Sequence, residues 1–348
     1  MPGLSVRAVA RGCLNLTGSV SVRHDLFIRA IGPAVSLKSE LRFIVGTRCN
    51  VAESPLARGR YAVGRRTVQV AVPVGSVKAI VYYPAAESGA NKPFGDGPEG
   101  PPFPLVAVAH AIRGNTFQFP VCPGAPTDLT QDYLQLSTIL EHLANWGYVA
   151  VSSDQSGAQI LDGKVPILEA SITHMLAENG RANSPFKGQI RTSEIVLLGH
   201  SAGGGAALEV AAEQVFPIVA VCLLAPGGRE RAAADAGAPL LVVHGTEEGG
   251  AGVPLNQPKQ LYDAAPSPKH LVRIEGANHF GFTDALCLEI GDPAARIPRA
   301  HQQRVAYAYL TAFLQRYVRS VRGNDKYLSG DLPIEELESD GIVVESDT

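Results

Sequence analysis

The residues best suited to chemistry stand together in the segment Gly199-His200-Ser201-Ala202-Gly203. An apolar run at 195–198 precedes this segment and predicts a buried parallel strand. An alanine-rich run at 206–212 follows it and predicts a helix. A serine between two glycines at such a strand-to-helix turn is typical of a nucleophile elbow, which leaves the hydroxyl exposed at the apex. The sequence therefore predicts that Ser201 is a nucleophile and that the start of the helix favours negative charge beside it.

A serine hydroxyl requires a base, and the chain has nine histidines. His279 lies in a glycine-flanked loop after the last predicted strand, and this position makes it the predicted base. We expect His200 to point away from the nucleophile and His110 and His244 to brace loops. The remaining histidines precede Ser201, lie on predicted helices or begin a strand.

Alternating strands and helices must position these two residues. The pattern predicts an antiparallel pair of edge strands within 61–83, followed by strands and helices in turn. Such an order predicts an α/β fold with a mostly parallel central sheet and helices on both faces. Ligands bind beyond the carboxyl ends of the strands in these sheets, and Ser201 and His279 both fall there. The later strands are predicted at 105–109, 148–152, 195–198, 218–224, 240–243 and 270–274.

Three segments in chain order resemble the α/β-hydrolase superfamily. They are residues 199–203, the run Val243-His244-Gly245-Thr246 and residues 276–280. Within the superfamily, the resemblance is to the dienelactone-hydrolase, chlorophyllase and cutinase-type polyester-hydrolase branch, and it covers residues 61–322. It implies an α/β-hydrolase fold and a serine hydrolase that cleaves carboxylic esters through an acyl-enzyme intermediate. It also implies that His279 is the base.

The same resemblance implies the other catalytic groups. The family's acid, commonly Asp, falls on Glu248, and Glu247 and Asp235 remain alternatives. The two backbone N–H donors of the oxyanion hole fall on Ala202 and Ile112. Ala111, which precedes Ile112, replaces a glycine that the family often has.

Residues predicted to line the substrate pocket are mainly apolar, and Phe117, Phe119 and Phe280 are the predicted substrate-binding side chains. They indicate a small ester substrate that is uncharged or moderately hydrophobic. Two alternatives stay open: another acyl-transfer enzyme on the same triad (thioesterase, amidase, peptidase or acyltransferase) and a non-catalytic hydrolase-fold binding protein. No cofactor and no metal are expected, because the sequence has neither a His-Glu-x-x-His motif nor paired cysteines.

Composition sets the remaining limits. The chain has 348 residues, a net charge of −3, 45% hydrophobic and 18% charged residues, which is ordinary for a globular protein. The net charge gives no electrostatic case for nucleic acid as a partner. No apolar run reaches the length of a transmembrane segment. The sequence leaves the oligomeric state open.

The two ends of the chain differ in charge from the middle. We expect an N-terminal extension of uncertain structure at 1–60, a catalytic domain at 61–322, and an acidic, disordered tail at 323–348. A cytoplasmic location is expected, and the arginine-rich, acid-poor N-terminus leaves organelle targeting as an alternative. Cys222 lies in an apolar run and is expected to be a buried thiol.

Overall fold

One mixed sheet carries the predicted site residues at the ends of its strands. The computed structural model describes residues 54–111, 129–158, 161–249, 253–284, 293–331 and 341–348. Ten strands lie within these residues: β1 (Ala62–Ala71), β2 (Ser76–Ala85), β3 (Gly89–Ala90), β4 (Phe103–Ala109), β5 (Val149–Ser153), β6 (Ile190–His200), β7 (Ile218–Leu224), β8 (Leu240–Glu247), β9 (Lys269–Asn278) and β10 (Ile342–Asp347).

The helices separate these strands as the alternation in the sequence predicts. They are α1 (Ser137–Asn145), α2 (Leu161–Gly180), α3 (Ala202–Ala212), α4 (Glu230–Asp235), α5 (Gln257–Ala264), α6 (Arg299–Tyr317) and α7 (Asp325–Leu328). Among the described residues, no helix is both long enough and apolar enough to cross a membrane.

The strand order is β10-β9-β8-β7-β6-β4-β5-β2-β1-β3. The run from β9 to β5 is parallel, whereas β2 pairs antiparallel with β5 and with β1. The predicted antiparallel edge pair and mostly parallel centre are therefore both present. The parallel arrangement brings the carboxyl ends of β4 and of β6 to β9 to one edge of the sheet.

Alternating side chains on each strand enter two separate cores. Leu105 of β4 packs in a core shared with α2, α3 and α5, as shown by Leu168, Leu208 and Leu261. Its neighbour Val106 packs on the other side of the sheet. There the covering side chains come from α1 and α6, including Leu140 and Leu310. Because successive residues of a strand point to opposite faces, both faces need a helical cover. This confirms the predicted α/β fold with helices on both faces.

The prediction of a disordered tail at 323–348 is wrong for the residues described there. Leu328 of α7 is fully buried, and β10 pairs antiparallel with β9. Ile342 and Val344 lie half-buried opposite Ile274 and Val272 of β9. The exposed residues that alternate with the half-buried ones are Val343, Glu345 and Asp347, so a short strand pattern of period two lies within the acidic tail. Described residues all lie in one compact unit that spans Ala52–Thr348.

Candidate active site

Ser201 stands alone between the end of β6 and the start of α3. Its backbone has φ 57° and ψ −126°, a conformation that L-residues rarely adopt. Strain of this kind costs about 1–3 kcal/mol and is typical of functional positions. Two hydrogen bonds hold the turn to its surroundings: Ser201 N–H donates to the Leu224 carbonyl at 3.0 Å, and Gly227 N–H donates to the Ser201 carbonyl at 3.0 Å.

The two glycines of the motif are required by close backbone packing. A Cβ on Gly199 would lie 2.3 Å from the Gly203 carbonyl oxygen. One on Gly203 would lie 2.1 Å from the Ala109 carbonyl oxygen at the end of β4. Neither neighbour is a flexible side chain, so neither can move aside cheaply. The spacing of the motif therefore reflects a turn in which the helix presses against two strand ends.

Ala202, the first predicted oxyanion donor, is the first residue of α3. The first N–H groups of a helix have no carbonyl partner within it, so that of Ala202 can bind an anion beside Ser201. Ile112, the second predicted donor, lies outside the described residues, as do Phe117 and Phe119.

His279 follows directly after β9 and is completely buried. Neither of its ring nitrogens has a hydrogen-bond partner within the described residues. Burial, and next the nearby His200, lowers the pKa of His279 well below its ordinary value of 6.5. The imidazole is therefore neutral and has a lone pair that can accept a proton.

His200, which the sequence predicts to point away from the nucleophile, contacts the predicted base. Its ring centroid lies 5.0 Å from that of His279, and its Nε2 lies 2.9 Å from the His279 carbonyl oxygen. A carbonyl only accepts, so Nε2 carries the proton and donates it. His200 is covalently joined to Ser201, so this bond ties the loop of the base to the elbow. The one sequence signal for this hydrogen bond is the position of His200 directly before the nucleophile.

Glu248 lies at the same edge of the sheet as His279. Glu247 of β8 is in register with Asn278 of β9, so the residue after each lies at the end of a paired strand. Glu248 is buried, with its Oε1 accepting from the Gly245 N–H at 2.6 Å. It makes no hydrogen bond to His279 in this structure.

The two alternative acids have other surroundings. Glu247 accepts from the Arg296 guanidinium, with Oε1 at 2.7 Å from Nη2, and from the Thr246 hydroxyl. Asp235 ends α4, with a half-exposed side chain facing Arg231 on the same helix. Of the three acids, only Glu248 is buried.

A buried polar cluster lies at the end of β4. Gln155 N–H donates to His110 Nε2 at 2.9 Å, which leaves the ring proton on Nδ1. That Nδ1 lies 2.8 Å from the Ala111 carbonyl oxygen, and Lys164 Nζ lies 3.3 Å from the same oxygen. His110 therefore links the end of β4 to Gln155 after β5, and the Ala111 carbonyl is held by two donors.

Phe280 packs edge-on against the His279 ring, with centroids 4.9 Å apart and an interplanar angle of 85°. It is 6% exposed, so little of its ring faces solvent. The structure thus places Phe280 against the imidazole, where it restricts the tilt of the ring.

Comparison with known proteins gives a family model and relatives that each match part of the chain. A family model described as PET hydrolase-like matches residues 126–292. Cutinase est2 of Thermobifida alba is 29% identical over 143 residues, which are 40% of this chain and 46% of the relative. Cutinase 1 of Thermobifida cellulosilytica is 26% identical over 181 residues, 51% of this chain and 61% of the relative.

The chain spans about half the length of the curated relatives it matches. The segment that the family model matches includes the elbow of Ser201 and the loop of His279. The fold is that of an α/β-hydrolase, and the resemblance to the polyester-hydrolase branch that the sequence predicted is confirmed.

Proposed function

We propose that this protein is a serine hydrolase that cleaves carboxylic esters through an acyl-enzyme intermediate. The observation that carries the proposal is the strained backbone of Ser201 at the start of α3. The hydrogen bond from His200 to the His279 carbonyl supports it, because it ties the backbone of the proposed base to the elbow. The similarity to cutinases supports the choice of ester chemistry.

In the proposed mechanism, Ser201 Oγ attacks the ester carbonyl carbon while His279 takes the hydroxyl proton. The Ala202 N–H and, by the resemblance, the Ile112 N–H stabilise the negative oxygen of the tetrahedral intermediate. The C–O bond then breaks, and His279 gives the proton to the departing alcohol. Water, deprotonated by His279, hydrolyses the acyl-enzyme and restores Ser201.

Glu248 is the proposed acid that orients His279 and stabilises its cation. Its burial at the end of β8 supports this choice over Glu247, which binds Arg296, and Asp235, which is half-exposed. To act, a carboxylate oxygen must come within hydrogen-bonding distance of the His279 ring. Catalytic hydrogen bonds often tighten only in the complex with substrate, so the free enzyme can lack this one.

The proposed substrate is an uncharged, moderately hydrophobic ester, of the polyester type that the relatives' family description indicates. Phe280 lies beside His279, and its role in binding an apolar substrate stays a prediction. The roles of Phe117 and Phe119 stay predictions. Turnover of matched esters, thioesters and anilides would separate ester cleavage from the other acyl-transfer reactions.

The direct test is labelling with a fluorophosphonate, followed by peptide mapping, together with turnover of p-nitrophenyl butyrate. We expect a covalent adduct on Ser201 and loss of both adduct and turnover in Ser201→Ala and His279→Ala. A folded Ser201→Ala variant that still turns over the ester would refute the proposal. Absence of turnover and adduct in the wild-type protein would favour a non-catalytic binding protein.

The assignment of Glu248 as the catalytic acid is tested by changing Glu248 and its neighbour Glu247, each to glutamine. Glu248→Gln should lower kcat about 100-fold or more, since the imidazolium loses its counter-charge. Glu247→Gln, a matched control, should lower kcat less than about threefold. The opposite ranking would assign the acid to Glu247, and loss only in Asp235→Asn would assign it to Asp235.

A further inference from the structure

Gln302 of α6 is a fully buried polar side chain that faces the loop of His279. Its Oε1 accepts from the Asn278 N–H at 3.2 Å, and its Nε2 donates to the Asn278 carbonyl at 2.7 Å. A carboxamide without partners would cost about 1–3 kcal/mol to bury, so these two bonds fix where it points. Both polar atoms of the Gln302 amide thus hydrogen-bond the backbone of one residue of β9, Asn278.

The Gln302 amide takes the place of a neighbouring strand at the outer edge of β9. β10 pairs with β9 only from Lys269 to Ile274, and the Glu275 N–H donates to the Gly341 carbonyl. Beyond that point the outer edge of β9 has no strand beside it among the described residues. The Gly276 carbonyl accepts from the Arg296 N–H, and Gln302 satisfies Asn278. On this outer edge, the last residue before His279 is therefore held by a side chain rather than by a neighbouring strand.

Further contacts close the turn around the base. Asn278 Oδ1 accepts from the Gly281 N–H at 2.8 Å, and Asn278 Nδ2 donates to the Pro293 carbonyl at 3.1 Å. A Cβ on Gly281 would lie 2.1 Å from Gln302 Oε1, so the amide packs directly against the loop. His200 holds the His279 carbonyl from the other side.

We propose that Gln302 is a positioning residue, which sets the direction in which His279 leaves β9 by holding both backbone groups of Asn278. The inference rests on the proposed role of His279 as the base. Gln302 contacts neither substrate nor reacting atoms and acts only through the backbone of Asn278. A misplacement of about 1 Å at a catalytic group can cost about 100-fold in rate.

Gln302→Met tests the proposal, since it keeps the length of the side chain and removes both hydrogen bonds. Gln303→Met on the same helix is the matched control. It removes a hydrogen bond to the Thr283 carbonyl at 3.0 Å, away from Asn278. Kinetics with p-nitrophenyl butyrate, the rate of fluorophosphonate labelling of Ser201 and denaturant unfolding are measured for both.

We expect Gln302→Met to lower kcat and the labelling rate about 10- to 100-fold, with KM changed less than about threefold. Gln303→Met should keep both rates within about twofold of the wild type. A Gln302→Met variant with wild-type rates, or equal losses in the two variants, would overturn the proposal. If Gln302→Met does not fold, Gln302→Asn and Gln303→Asn are compared with the same outcomes, because Asn withdraws the amide by one methylene.

His279→Ala separates this proposal from the proposed function. If His279→Ala is inactive and Gln302→Met is fully active, only the positioning role fails. If His279→Ala retains turnover, the base itself is misassigned and the positioning role fails with it.

Discussion

The elbow of Ser201 and the loop of His279 are positioned by different means. The elbow is fixed by contacts between backbones, which leave no room for a Cβ at Gly199 or Gly203. The loop of the base is fixed by hydrogen bonds from the side chains of His200 and Gln302. The residues that pack backbone against backbone lie within one short motif. The side chains that hold the loop of His279 come from distant parts of the chain. Substitutions in the elbow should therefore lower the free energy of unfolding. Substitutions around the loop of His279 should instead misalign the base and lower kcat.

Acid should destabilise the whole fold, including both regions. This is the largest expected effect on the free energy of unfolding. Burial lowers the pKa of His142, His200, His244 and His270 to about 4, below the ordinary 6.5. Between pH 6.5 and 4 the unfolded chain therefore binds protons that the folded chain does not. Stability should be complete above pH 6.5 and fall toward pH 4, by about 1.4 kcal/mol per pH unit for each histidine.

Denaturant unfolding at pH 7, 6 and 5 measures this slope. The variant His142→Gln, whose wild-type ring hydrogen-bonds the Thr311 hydroxyl, should reduce the slope by about one proton. A stability that stays constant from pH 7 to 5 would contradict the burial of these neutral histidines.

Gly203→Ala should give the next largest effect, because its Cβ would lie 2.1 Å from a backbone oxygen of β4. We expect a loss of more than about 4 kcal/mol in unfolding free energy, or no folded protein. Gly157→Ala is the control, since a Cβ there meets nothing within 4 Å. If Gly203→Ala were as stable as Gly157→Ala, the elbow would be looser than its geometry indicates.

Removal of residues 341–348 should separate stability from catalysis on the side of the base. It uncovers the β9 edge at Val272 and Ile274, which should cost about 2 kcal/mol in unfolding free energy. kcat should stay within about twofold, because Gln302 and not β10 holds Asn278. A large fall in kcat with the protein folded would show that the edge strand also aligns the base.

Gly281→Ala should have the smallest effect on stability. Its Cβ would approach Gln302 Oε1 and Asn278 Oδ1, so these two amides would have to shift and strain their hydrogen bonds, whereas at Gly203 the obstacle is backbone. We expect a loss of about 1 kcal/mol in unfolding free energy and a fall of about 10-fold in kcat. A stability loss as large as that of Gly203→Ala would show that the loop is held as rigidly as the elbow.

The parts of the molecule that the sequence predicts well are those with local patterns. The apolar runs of β4 to β9 and the glycines around Ser201 are such patterns, and all of them appear as predicted. Gln302 could not be found in this way, because it lies 24 residues from Asn278 and any buried helix position could hold it. The same holds for β10, whose pairing with β9 depends on half-buried Ile342 and Val344 among acidic residues.

Lys164 offers a chemical probe of the region around the end of β4. It is completely buried, and burial lowers its pKa to about 8 against the opposing effect of the carboxylates of Asp132 and Asp154. An amine with this pKa is largely uncharged at pH 8.5 and would react readily with an acylating reagent. A reagent cannot reach the amine while Lys164 stays completely buried. The rate at which Lys164 becomes acylated, followed by mass spectrometry, therefore measures how often the chain around it opens.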